Sequence, residues 1–132
     1  MEWHLGYALA CARDFERGIP LLEGAVRKAA ADRCFAGQSM RMGWLAEALL
    51  FAQRVPQASK LAEEALAMAV SYGELPAQAH IRRIRGDIAA AEHPDDSSIV
   101  MQNYQEAEAI AGRLSMRPLR SGCKSFLAQR CP

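Results

Sequence analysis

Three histidines, four cysteines, a pair of adjacent aspartates and a short run of arginines are the residues of this 132-residue chain whose types could do chemistry. His4, His80 and His93 stand far apart, and Cys11, Cys34, Cys123 and Cys131 form no C-x-x-C pair. A zinc site needs such donors at close, characteristic spacings, and none is present. The histidines are therefore expected to be structural or solvent-facing. The cysteines are expected to be ordinary thiols, mostly buried as small hydrophobes. Asp95-Asp96 resembles half of a calcium loop but lacks the alternating acids and the closing glutamate. It reads as a helix-capping turn. The chain contains no G-x-x-x-x-G-K, no G-x-S-x-G and no H-E-x-x-H. No catalytic set and no cofactor site is expected, and the chain reads as a non-enzyme.

Arg82, Arg83 and Arg85 are the sharpest charge feature. As a clamp they would hold a phosphate or carboxylate through bidentate hydrogen bonds. The plainer reading is a solvated helix face beside Asp87 and Glu92. The formal charge of +1 and the lack of aromatic interleaving give no reason to expect nucleic acid. No apolar run approaches the ~20 residues of a membrane span. The N-terminus, Met1-Glu2-Trp3-His4, has neither a basic region nor an apolar stretch of the signal-peptide kind. The expected location is cytoplasmic, with no membrane partner. Met40, Met42, Met68, Met101 and Met116 are flexible enough for an adaptable groove, although a core role is the simpler one.

Helices must position these residues. Alanine is abundant, and no segment alternates apolar and polar residues for long. The i, i+3, i+4, i+7 pattern predicts seven helices, over about 2–13, 19–32, 38–53, 56–72, 76–92, 98–114 and 118–130. Pro20, Pro56, Pro76 and Pro118 each stand at a helix start, and no proline is expected inside a helix. Gly73 is the natural stop of the fourth helix, and Ser97 or Ser98 the cap of the sixth.

The helices carry a period. Gly6, Ala46 and Gly86 recur every 40 residues, with Leu5 and Leu45 before the first two and Leu9, Leu49 and Ala89 three residues after. Ala25, Ala65 and Ala107 trail at spacings of 40 and 42. Such a period marks stacked helix-turn-helix units, about 1–37, 38–75 and 76–117 with a lone helix at 118–130, in a single all-α domain. The small residues are expected at close helix crossings.

Leu5-Gly6, Leu9, Leu22 and Ala25, then Met42, Leu45-Ala46, Leu49, Ala58, Ala62 and Ala65, then Gly86, Ala89, Val100, Tyr104 and Ala107, together resemble the tetratricopeptide repeat. The segment from Gly86 to Ala90, with Tyr104 to Ala111 and Leu114-Ser115-Met116-Arg117-Pro118-Leu119, is similar to the C-terminal repeat region of bacterial signalling proteins. Those include cyclases fused to an ATPase module and large transcriptional regulators. The resemblance implies a right-handed α-α superhelix, a TPR-like solenoid of about three and a half repeats, that binds a peptide or protein without chemistry. The alternative is a regulatory or sensory segment of such a signalling protein, freestanding or truncated. The same register implies that the first helix of each unit lines the concave side. It places Trp3, Tyr7, Met40, Gly43, Glu47, Leu50, Phe51, His80, Arg83, Asp87 and Ala90 there. Tyr7, Met40, Glu47, Phe51, His80, Arg83 and Asp87 are the candidate partner-binding residues. Trp3, Met40, Leu50 and Phe51 could equally pack against neighbouring helices. Neither end shows the polar cap that solenoids need, so self-association through the ends is a further expectation.

Overall fold

Helix stops set the spacing of this chain. The computed structural model describes residues 2–114, and six α-helices occupy them. They are α1 (Glu2–Cys11), α2 (Phe15–Ala31), α3 (Gln38–Phe51), α4 (Val55–Ser71), α5 (Leu75–Glu92) and α6 (Ser97–Arg113). No strand occurs among the described residues. The helix expected at 118–130, with Cys123 and Cys131, lies outside them.

Four of the helices end alike. The amides of Asp14, Cys34, Arg54 and Glu74 reach back to the carbonyls of Leu9, Ala29, Leu49 and Ala69 at 2.8–2.9 Å. The residue before each, Arg13, Arg33, Gln53 or Gly73, takes positive φ, and its amide bonds to the carbonyl three residues back. This double bond satisfies the orphan carbonyls of a helix end. The four stops stand 20 residues apart. Gly73 is the stop its sequence predicts, at φ 66°. α5 ends differently, at a loop where Asp96 caps α6 by accepting the Ser98 amide at 3.0 Å. The cap is thus Asp96 and neither of the serines, because a carboxylate one residue before the helix reaches the free amides.

Two expectations fail locally. α2 starts at Phe15, so Pro20 lies inside it. The stop at Arg13 returns the chain at once, and Phe15 packs on the core. Pro20 is exposed, and so is Glu16, whose carbonyl loses its helical partner to the missing N–H. Tyr72, the last residue of the helix expected over 56–72, follows the end of α4 and is 58% exposed.

Each helix packs on the next, and the odd-numbered helices also pack on one another, α1 on α3 and α3 on α5. The crossings use the small residues. Gly6 and Gly18 meet backbone to backbone, since a Cβ on Gly18 would lie 2.7 Å from the Gly6 carbonyl oxygen. Ala46, Ala65 and Ala107 are fully buried. Leu22, Leu45, Leu49, Ile84 and Ile88 join the alanines of α3 and α4 in one core, while Val100 and Tyr104 anchor α6 on α5. Leu5 departs from the pattern and is 55% exposed. No described helix is long and apolar enough to cross a membrane.

Candidate functional site

Met40, Trp44, Glu47 and Phe51 follow helical spacing along one side of α3, and His80, Arg83 and Asp87 do so along α5. Because α1, α3 and α5 pack together, these rows and Tyr7 of α1 come into contact. The Tyr7 hydroxyl donates to Glu47 Oε1. Arg83 Nη2 donates to Glu47 Oε2 at 2.6 Å, and its Nη1 donates to Asp87 Oδ2 at 2.8 Å. The Tyr104 hydroxyl of α6 closes the line by donating to Asp87 Oδ1. Five side chains from four helices thus form one hydrogen-bonded chain, and two carboxylates share one guanidinium.

Burial grades along it. The side chain of Glu47 is 4% exposed, that of Arg83 27% and that of Asp87 33%. Burial, then Glu47, pushes the Tyr7 phenol well above its ordinary pKa, so it acts as a proton donor. Burial opposes the charge on Arg83, but Glu47 and then Asp87 outweigh it and hold its pKa high. Burial lifts Asp87 above the usual carboxylate value, against the pull of Tyr104 and Arg83. His80 is lowered by burial and then by Arg83, which favours its neutral form.

An aromatic group adjoins the α1–α3 end of the chain. The Trp3 and Trp44 centroids are 4.3 Å apart, and Tyr7 stacks on Trp44 at 5.0 Å. His4 lies 3.7 Å from Trp3. The Arg41 guanidinium sits 6.0 Å from the Trp3 ring centre, at the outer limit of a cation–π contact.

Of the residues singled out in the sequence, Tyr7, Glu47, Arg83 and Asp87 are in the hydrogen-bonded chain, and His80 lies within the field of Arg83 and Glu47. Trp3 is in the aromatic group. Met40 is half-buried on the cluster of Met42, Ala65 and Ile81. Phe51 is half-buried at the last residue of α3, one turn beyond Glu47. Gly43 is buried at the α3–α5 contact, where a Cβ would meet Ile81 at 3.0 Å. Leu50 and Ala90 pack on the core clusters. Trp44, Arg41 and Tyr104 complete the site without having been expected in it. Trp44 was readable as the residue between Met40 and Glu47 on the same helical row.

The arginines form no clamp. Arg82 pairs with Glu106 on α6, Arg83 with Glu47 and Asp87, and Arg85 lines a shallow depression with Glu63, Glu92 and Asn103. Residues 82, 83 and 85 point in different directions around α5, as 100° per residue requires. Cys11 and Cys34 are exposed, against the expectation of burial, since both follow the last buried turn of their helices. No group of three or more potential metal ligands occurs among the described residues. Comparison of the chain with known protein families, curated proteins and solved structures finds no match.

Proposed function

We propose that this protein is a non-enzymatic interaction module, a TPR-like right-handed solenoid, that binds a peptide or protein segment on the face shared by α1, α3 and α5. One observation carries the reading. The odd-numbered helices pack on one another and together present half-buried Trp3, Tyr7, Trp44, His80 and Asp87 as one partly open aromatic and polar strip. Rigid aromatics beside fixed hydrogen-bonding groups are what peptide-recognition surfaces offer. The core beneath holds the strip in place, so binding costs little reordering.

The test is to pan a phage-displayed library of random twelve-residue peptides against the full chain, then to map bound peptide by amide chemical shifts. The reading expects perturbations at Trp3, Tyr7, Trp44, His80 and Arg83. Recovery of no peptide, or shifts confined to α2, α4 and α6, would sink it.

A further inference from the structure

A cleft of about 410 Å³ opens where the start of α1, the end of α2 and the start of α3 meet. That is the size of a small-molecule site. Trp3, Ala25 and Ala29 give it an apolar wall, and Lys28, Arg41 and Asp32 bring charge to it. Neither cation is ion-paired with a described carboxylate. Arg41 is half-buried. Its Nη1 donates to the neutral oxygens of Ala36 and Gln38, at 3.0 and 3.5 Å. Its Nε and Nη2 make no hydrogen bond to a described residue, and together they are one of the donor forks that a carboxylate engages with both oxygens. The α3 end brings positive partial charge, since it has no side-chain cap and no acid in its first turn. The α2 end brings a like amount of negative. The helix ends offset one another, and two unpaired cations then face the one acid, Asp32.

We infer that this cleft binds a small aromatic acid, its carboxylate held by Arg41 and Lys28 and its flat ring lying against Trp3, Ala25 and Ala29. The inference goes beyond the peptide-binding reading and stands without it, although Trp3 borders both surfaces. An anion supplies the charge that the half-buried guanidinium lacks. A cation would meet two like charges for one opposite. The alanines leave a low wall beside the indole, which suits a ring.

Cys34 lines the cleft and is exposed, whereas Cys11 is exposed outside it, so the chain carries both a reporter and a control. The test is the rate at which iodoacetamide alkylates each thiol of the full chain, read peptide by peptide in a mass spectrometer. The probes are naphthoate, its uncharged amide and acetate. Naphthoate should remove most of the Cys34 rate and leave that of Cys11 unchanged, while naphthamide and acetate should protect neither. Lys28 is exposed, so Lys28→Gln leaves the fold alone and should raise the naphthoate concentration for half-protection about fivefold. Asp32→Asn should lower it, because the opposing charge is gone. Equal protection by naphthamide would overturn the inference, since charge would not be read. Equal protection by acetate would do so because the ring would not be read. No protection of Cys34 at millimolar naphthoate, or equal protection of Cys11, would likewise end it.

Discussion

Glu47 on α3 receives the Arg83 guanidinium of α5 at 2.6 Å, with only 4% of its own side chain exposed. The two residues are far apart in sequence, and their contact ties two consecutive odd-numbered helices at a point where the core alanines give little side-chain interlock. A pair this buried has little net worth against an apolar substitute, but each member depends heavily on the other.

Glu47→Ala is therefore expected to destabilise the fold by about 3 kcal/mol, near the low end for breaking a buried pair because Arg83 keeps some contact with water. The double variant Glu47→Met with Arg83→Met should recover most of that loss, since it removes both charges. Urea unfolding of Glu47→Ala, of Glu47→Met and Arg83→Met alone, and of the double variant decides the matter. A double variant that loses the sum of two independent single-site penalties would show that the residues are not energetically coupled.

The Gly6–Gly18 crossing makes a second prediction. A methyl group on Gly18 would lie 2.7 Å from the Gly6 carbonyl oxygen and 2.9 Å from the Ala10 amide, both backbone atoms. Neither can move without parting α1 from α2. A methyl group on Gly86 would meet the Tyr104 ring at 2.9 Å, and a ring can tilt. Gly18→Ala should cost more than Gly86→Ala, with each within ~1–3 kcal/mol for overpacking. Equal melting temperatures for the wild type and Gly18→Ala would contradict the close crossing.

The helix stops yield a third. Gln53 holds a left-handed conformation at φ 64° with a side chain attached, at the position Gly73 occupies in α4. Left-handed backbone costs a non-glycine residue ~1–2 kcal/mol, partly offset by the entropy that glycine loses on folding. Gln53→Gly is expected to stabilise the protein by roughly 0.5–1 kcal/mol, and Gly73→Ala to destabilise it by about 1 kcal/mol. Thermal unfolding of the pair checks both signs.

These particulars show where the sequence was transparent. Tyr7, Glu47 and Asp87 each follow a small residue of the 40-residue period, so one register places all three on consecutive odd-numbered helices, and their hydrogen bonds are its consequence. Pro56 and Pro76 mark helix starts to within one residue because proline is cheap in the first turn. The 20-residue spacing of the stops stayed hidden. Three of the four left-handed positions carry arginine or glutamine, whose identities give no sign of positive φ. The start of α2 was missed for the same reason, since the stop at Arg13 that turns the chain has no glycine. Tyr104 was legible as a packing residue of α6, but its hydroxyl meets Asp87 only through the α5–α6 crossing, which no local pattern reports.

His80 and Asp87 make the stability of the site depend on pH in opposite senses. The folded protein lowers the pKa of His80 below 6.5, through burial and then the charge of Arg83, with Glu47 opposing. Between the folded and unfolded values the unfolded chain binds more protons, so stability rises with pH there. The contribution of His80 is present above pH 6.5 and is lost as pH falls through the folded value. Asp87 is raised above 3.8, so its contribution is present below that value and is lost as pH rises through the folded one. His80→Gln should therefore remove part of the fall in stability that the wild type shows on acidification from pH 6.5. Asp87→Asn should steepen that fall, because it deletes the term that opposes it. Urea midpoints measured from pH 4 to 8 for the three proteins separate the effects. A His80→Gln curve parallel to the wild type would mean that the fold leaves the imidazole pKa where the unfolded chain has it, and that Arg83 and burial do not act on it.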